Sequence, residues 1–220
     1  MTINNLQKDF WESEKQIKRR RPFHPVIRAF VLPKIKFIQE NISLTKDTSL
    51  LDVGCGNGFF TYYFRQICQV TGLDFSRQML AMNPHDTDKL ILGEAENLPF
   101  PNDSFDIVFC SNLLHHLQNP AKALAEMKRT AKTYIIVSEP NRNNPFLFIF
   151  NLLKKEERKA LKFNKKYLIK LGEKIGLKKI NVLISGLIFP NKTPVFLLPL
   201  LNNFNFPQPW GGYITIIFKK

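Results

Sequence analysis

A run of apolar residues that leads into three alternating glycines constrains this chain more than any other feature. Residues 50–58 read LLDVGCGNG, and a stretch of helical character follows. Glycine allows a tight backbone turn and lets a ligand approach main-chain atoms that a Cβ would shield. The start of a following helix adds unpaired N–H groups. The pattern therefore predicts a strand, a ligand-binding turn and a helix in succession.

Short apolar runs and helical stretches continue to alternate up to residue 140. Such alternation predicts a parallel sheet that is covered by helices on both faces. The predicted strands are 49–53, 69–74, 90–92, 105–110 and 134–138, and the predicted helices between them are 59–66, 76–82 and 120–129. The flanks are less regular, with helices expected at 6–20, 26–40 and 165–175 and strands at 179–185 and 213–218.

The glycine turn alone leaves two classes of ligand open. Asp74 ends the second predicted strand and could bind a ribose diol in either class. The dinucleotide pattern GxGxxG requires a third glycine where this chain has Phe59. Because Asp74 suits a ribose in either case, it does not distinguish a dinucleotide from the other class of ligand. That choice depends on later segments of the chain.

Three later segments carry a family resemblance. They are GLDFS at 72–76, GEAENLPFPNDSFD at 93–106 and SNLLHHL at 111–117. Together with the glycine turn, in this order and spacing, they resemble class I S-adenosylmethionine-dependent methyltransferases, particularly the small bacterial type related to ubiquinone and menaquinone C-methyltransferases. The resemblance covers residues 48–139. It implies S-adenosylmethionine as cofactor and a Rossmann-like, seven-stranded, mostly parallel sheet whose antiparallel last strand inserts beside the fifth.

The resemblance also implies a role for each matching residue around the cofactor. The turn containing Gly54, Gly56 and Gly58 would pass beneath the methionine moiety, and Asp52 would orient the amino group. Asp74 would bind the ribose hydroxyls through charge-assisted hydrogen bonds. A helix cap is the alternative role for Asp52.

The adenine and methionine ends would be bordered by a second set of residues. Phe75 and Met79 would lie against the adenine, although both could simply belong to the core. Glu94 stands where the family usually has aspartate and would accept from the adenine amino group. The backbone N–H of Ala95 would bind the ring. The methionine end would be closed by Ser111 or Asn112.

Methyl transfer from a sulfonium is a direct displacement, so catalysis rests mostly on alignment of the acceptor with the methyl group. A base matters only for an acceptor hydroxyl or acidic carbon. The candidates are His115, His116 and Glu139, since histidine accepts a proton near neutral pH. Either histidine could instead pack or cap a helix. No metal is required, and no cluster with zinc-ligand spacing occurs in the sequence.

The acceptor is constrained mainly by charge. The chain has 32 Lys and Arg against 18 Asp and Glu, which gives a net charge of +14. This balance indicates an anionic partner or a solvated basic face. An apolar segment at 145–150 precedes a basic run at 154–159, which suits a small or lipid-linked acceptor at an anionic membrane surface. The apolar segment could equally be a lid over the cofactor. Arg142 could hold a phosphate or carboxylate.

Two other functions stay open. RNA methylation is supported by charge alone, and no aromatic platform for bases is recognisable. A non-catalytic cofactor-binding scaffold is the third hypothesis, although the intact glycines and aspartates speak against it.

We expect residues 1–220 to form one domain. Residues 1–47 would be an N-terminal helical cap, 48–140 the cofactor-binding core, and 141–220 an acceptor-side lid with the C-terminal strands. No apolar run approaches the ~20 residues that span a bilayer. The three cysteines form no CxxC pair and are expected to be reduced. A cytoplasmic protein with peripheral membrane contact fits these features.

Overall fold

A computed structural model describes residues 5–204 and 206–220, which fold around one seven-stranded sheet. The strand order is β3-β2-β1-β4-β5-β7-β6. The strands are β1 (Ser49–Val53), β2 (Gln69–Asp74), β3 (Leu90–Leu92), β4 (Phe105–Ser111), β5 (Ala131–Pro140), β6 (Lys178–Ser185) and β7 (Tyr213–Lys219). Each predicted strand is present, and β5 is longer at both ends than expected.

The strand directions confirm the expected Rossmann-like arrangement. Strands β1 to β5 pair in parallel, whereas β7 pairs antiparallel with both β5 and β6. The last strand therefore inserts beside the fifth, as the family resemblance implies. Residues 48–53 and 69–74 are joined through a short helical crossover, which is what parallel neighbours require.

Helices cover both faces of the sheet. Successive side chains of a strand point to opposite faces, so Leu50 and Leu51 enter different cores. The helices are α1 (Asn5–Trp11), α2 (Pro25–Asn41), α3 (Thr61–Phe64), α4 (Arg77–Ala81), α5 (Pro120–Thr130), α6 (Pro145–Leu153), α7 (Lys165–Lys174) and α8 (Leu198–Asn202). Buried residues of α2 and α3 belong to the core with Leu50, and those of α5 and α7 to the core with Leu51.

The first helix is shorter than predicted. We expected a helix over 6–20, but α1 ends at Trp11 and a separate 3-10 turn covers Glu14–Lys18. Ser13 lies between them and its hydroxyl donates to the Phe10 carbonyl at 2.7 Å. Serine bonds of this kind compete with continued helix. The break turns the following residues back toward the sheet.

Helix α2 belongs to the core and not only to a cap. It continues through Pro33 and buries Val26, Ile27 and Ile38 completely. Within residues 1–47, the segment 5–21 is therefore the part that can reach a ligand site. In the described part of the chain, no helix is both long and apolar enough to cross a membrane.

Candidate functional site

A cavity of about 510 Å³ opens at the carboxyl ends of the parallel strands. Its size lies within the range of small-molecule sites, and this end of an open α/β sheet is where ligands bind. The cavity brings together most of the residues expected at the site: Asp52, Gly54, Gly56, Asp74, Phe75, Met79, Ala95, Ser111, Asn112, His115 and His116. Gly58, Glu94 and Glu139 do not line it.

The glycine turn lies against Asp74. Gly54 and Gly56 have φ angles of +71° and +50°, which L side chains rarely adopt. A Cβ on Gly54 would also lie 2.9 Å from Leu113 Cδ1. The Gly56 N–H donates to Asp74 Oδ2 at 2.8 Å, and the Ser76 N–H donates to Asp74 Oδ1 at 2.9 Å. Asp74 therefore holds the turn as well as facing the cavity.

Two buried carboxyl groups face each other across this turn. Burial raises the pKa of Asp74 to about 6, although the backbone donors of Ser76 and Gly56 oppose the shift. Burial raises the pKa of Asp52 to about 7, and the neighbouring Asp74 adds to this while the Thr61 hydroxyl bond, 2.6 Å long, opposes it. The pair favours a ligand that brings positive charge, because such a ligand stabilises both ionised forms.

Small and apolar groups form one wall beyond Asp74. Met79 is 3% exposed, and its Cε would lie 3.1 Å from a Cβ on Gly56. Ser76 caps the start of α4, and its side chain accepts a hydrogen bond from the Met79 N–H. Ala95 lines the cavity, whereas Glu94 is exposed and does not line it. The proposed Glu94 contact with adenine is therefore the one that the geometry supports least.

The end of β4 adopts an unusual backbone conformation beside the glycine turn. Asn112 has a φ of +51°, and its side chain donates to Ser111 Oγ at 3.2 Å. Asparagine tolerates this region better than most residues, but positive φ values outside glycine cluster at ligand sites. The strained residue directs both side chains into the cavity.

His115 is held between two carboxylates. Its Nδ1 lies 2.5 Å from Glu139 Oε2, and its Nε2 lies 3.2 Å from Glu157 Oε2. Burial alone would lower the pKa of His115, but Glu139 and Glu157 outweigh burial and raise the pKa to about 9. Glu139 Oε1 is also occupied, by the N–H groups of Leu113 and Leu114. Of the three candidate bases, Glu139 and His115 thus have no unoccupied basic atom facing the cavity.

His116 differs from its neighbour. Its Nδ1 is buried and has no hydrogen-bond partner among the described residues. Burial, with a smaller contribution from the adjacent His115, lowers the pKa of His116 to about 3. The two imidazole rings lie 3.9 Å apart, and Trp11 packs edge-on against His116 at 5.3 Å. His116 therefore presents a neutral ring with one available nitrogen.

Several residues of the cavity were not predicted from the sequence, and three of them carry polar or charged groups or a large aromatic ring. Trp11, Arg19 and Glu157 reach it from segments outside the resemblance. The Arg19 guanidinium lies 4.9 Å from the Trp11 ring centre and 5.8 Å from that of Phe59. Burial lowers the pKa of Arg19 to about 10, although Glu157 and Asp74 oppose the shift. Arg142, in contrast, is exposed and does not line the cavity.

Comparison with known proteins identifies the part of the chain that carries this cavity. Residues 51–134 match the family profile described as a methyltransferase domain. Residues 51–134 form a class I methyltransferase domain. The family and the fold imply S-adenosylmethionine as the cofactor. Phe59, which stands where the dinucleotide pattern has its third glycine, is consistent with this assignment.

Similar proteins share the domain but differ in length. The chain is 37% identical over 103 residues to an uncharacterized methyltransferase of Schizosaccharomyces pombe, covering 40% of the chain and 37% of that protein. It is 33% identical over 124 residues to demethylmenaquinone methyltransferase of Staphylococcus aureus, covering 52% of each. The chain thus spans about half, or less, of the curated relatives it matches.

The fold extends beyond the methyltransferase domain. The crystal structure of a SAM-dependent methyltransferase of Thermotoga maritima superposes with a TM-score of 0.69 at 20% identity, and the likeness covers 98% of both chains. At this identity the likeness concerns the fold alone. The arrangement of flanking helices and C-terminal strands therefore occurs in another methyltransferase.

Proposed function

We propose that this chain transfers the methyl group of S-adenosylmethionine to a small amphiphilic acceptor. The observation that carries the proposal is one continuous cavity that runs from the glycine turn and Asp74 to the His115–His116 pair and α6. Such a cavity can hold a donor and an acceptor together, and alignment of the two is the main catalytic requirement of this displacement.

The donor would occupy the glycine-turn end. In this arrangement Asp74 binds the ribose, Asp52 faces the amino group, and Phe75 and Met79 border the adenine. The two buried carboxyl groups gain most from a ligand with a sulfonium and an ammonium group. Ser111 and Asn112 would close the methionine end.

The acceptor end is bordered by apolar side chains that continue to the surface. Phe146 lines the cavity and is also 67% exposed, so α6 connects the interior with the outside. Further along the same helix Ile149 and Leu153 are 56% and 73% exposed. A molecule with an apolar tail and a polar head could enter along α6 from a membrane surface. The quinone-related S. aureus relative is compatible with an acceptor of this kind.

The test is incubation of the protein with methyl-labelled S-adenosylmethionine and with lipid, RNA and small-molecule fractions of its host. We expect label in the lipid or small-molecule fraction. Label in RNA would contradict the proposed acceptor class but would still show that the protein is a methyltransferase. Binding of the cofactor without label in any fraction would favour a non-catalytic scaffold. Tight binding of NAD, with none of the methyl donor, would contradict the whole assignment.

A further inference from the structure

Two histidines and a glutamate meet at the acceptor end of the cavity. One nitrogen from each of His115 and His116 and one oxygen from Glu157 all lie within 4.8 Å of one another. His115 Nε2 lies 3.2 Å from Glu157 Oε2. Ligand atoms about 2.1 Å from one tetrahedral ion lie ~3.4 Å apart. One pair already has this spacing, and the wider separations must shrink slightly by rotation of side chains.

Glu139 supports this cluster from behind. It contacts His115 Nδ1, and its other oxygen accepts from the Leu113 and Leu114 N–H groups at 2.9 and 2.8 Å. The carboxylate is completely buried, so the bond fixes the ring with Nε2 toward the cavity. A carboxylate bonded to the far nitrogen of a histidine is the usual support of a metal-bound imidazole.

His116 provides an independent reason to expect a ligand. The residue is 8% exposed, and its Nδ1 is buried without a hydrogen-bond partner in the part of the chain that the structure describes. A buried polar atom without a partner costs free energy and calls for an explanation. A cation between His116 Nδ1, His115 Nε2 and Glu157 would satisfy this atom. An acceptor molecule that hydrogen-bonds to His116 Nδ1 would satisfy that atom alone, whereas the cation would also bind His115 Nε2 and Glu157.

We propose that His115, His116 and Glu157 bind a divalent transition-metal ion such as Zn²⁺ at the acceptor end of the cavity. Two imidazoles and one carboxylate are a ligand set that such ions accept, with positions left open for other ligands. The ion takes the place of the proton that His115 shares with Glu157. The carboxylates of Glu139 and Glu157 outnumber the single positive charge of nearby Arg19, so the charge around the cluster favours a cation. This proposal replaces the expectation, drawn from sequence spacing, that the chain has no metal site.

The open positions would face the acceptor. An acceptor oxygen bound to the ion would be oriented toward the donor, and its proton would be lost more easily. The acceptor class then narrows to molecules that carry a hydroxyl or carboxylate near the methylated atom. This narrowing rests on the proposed function, whereas binding of the ion does not.

The test is a calorimetric titration of chelator-treated protein with Zn²⁺ in the absence of cofactor. The variants are His116→Gln and Glu157→Gln, with His85→Gln as the control. His85 also has a buried Nδ1 without a partner among the described residues, but it bonds the Val70 carbonyl and lies outside the cavity. We expect one equivalent of Zn²⁺ in wild type and in the control. The two cluster variants should bind about tenfold more weakly or worse.

Absorption bands of bound Co²⁺ give a second readout that reports the ligand atoms directly. Each variant is also titrated with S-adenosylmethionine, which shows whether the fold and the glycine-turn end are intact. Equal Zn²⁺ binding by all four proteins, or none by wild type, overturns the metal site. Either result leaves the proposed methyl transfer untouched, because the donor titration is independent of the ion.

Discussion

The two ends of the cavity are built in different ways. At the donor end, the contacts that shape the site join neighbours along the first strands, such as Asp74 with the Gly56 and Ser76 N–H groups. At the acceptor end, residues 5–21 and 145–162, here called the cover, meet across most of the chain. Gln7 Nε2 donates to the Glu156 carbonyl at 2.8 Å, although 149 residues separate them. Local sequence therefore specifies the donor end, and tertiary packing specifies the acceptor end.

This difference has a functional reading. The donor end presents a glycine turn, two carboxyl groups and main-chain donors, all of which match a fixed cofactor. The cover presents exposed aromatic and aliphatic groups on α6 and the Arg19 guanidinium, and its Trp11 and Glu157 contact the His115–His116 pair. The methyltransferase domain match ends at residue 134, before α6 begins. Acceptor choice is thus expected to reside in the cover.

The sharpest way to separate the two ends is Asp74→Ala. In the proposed binding mode the change removes two charge-assisted bonds to the ribose, and it also removes the acceptor of the Gly56 N–H. Loss of bonds to a charged group costs ~1.5–3 kcal/mol each, so calorimetry should register S-adenosylmethionine binding that is weaker by at least about a hundredfold. Vesicle binding by the cover and Zn²⁺ binding by His115, His116 and Glu157 should remain.

Asp106→Ala is the matched control for this prediction. Asp106 also accepts hydrogen bonds, from the Ser49 N–H and hydroxyl at 2.8 and 2.6 Å and from Lys132 Nζ at 3.0 Å, but it lies outside the cavity. It should lose stability without losing cofactor affinity. Unchanged affinity in Asp74→Ala would remove Asp74 from the site.

The same contrast explains what the sequence could predict. Ser76 as a helix cap, Asp74 at the end of its strand and the glycine turn are all visible within a short stretch of chain, and the sheet follows from regular alternation. Trp11, Arg19 and Glu157 carry no such signal, because their positions depend on contacts between distant segments. Only the broad expectation that residues 1–47 would form a cap and that 141–220 would include an acceptor-side lid could be made in advance. The break after α1 likewise depended on a single serine bond.

The affinity of the donor end for S-adenosylmethionine should fall at low pH, because Asp52 and Asp74 become protonated. Burial raises their pKa values to about 7 and about 6. A cationic cofactor needs the ionised forms, so its binding must displace protons at low pH. One displaced proton weakens binding about tenfold per pH unit below the pKa. Calorimetry between pH 7.5 and 5.5 should therefore show a loss of S-adenosylmethionine affinity of roughly thirty- to a hundredfold, and Asp52→Asn should flatten the profile.

The stability of the folded chain should change with pH in the direction opposite to the cofactor affinity. Both carboxyl groups have a higher pKa in the folded chain than when unfolded, so the folded protein binds more protons between about pH 4 and 7. Their contribution to the free energy of unfolding is present at low pH and is lost as the pH rises through the folded pKa values. The thermal shift produced by the cofactor should consequently grow toward pH 7.5. A shift that is independent of pH would contradict the assigned electrostatics.

The smallest expected effect concerns the outer surface of the cover. On α6, Ile149 and Leu153 project outward without lining the cavity, and the exposed Lys154, Lys155 and Arg158 follow directly. A second basic run, at residues 18–21 near the N-terminus, contributes less to this surface than its charge suggests. Arg19 faces the cavity, and Arg20 Nη1 donates to the Pro190 carbonyl. Basic groups near an anionic surface contribute ~1 kcal/mol each, and salt screens this attraction.

Binding to vesicles through insertion of apolar side chains should persist at physiological salt. Co-sedimentation with anionic vesicles should then fall several-fold when Ile149 and Leu153 become serine. Ile180→Ser on the edge strand β6, where Ile180 is 42% exposed, should change nothing. Binding that vanishes with salt in wild type, while RNA still binds and accepts methyl groups, would rule out delivery of the acceptor from a membrane along α6.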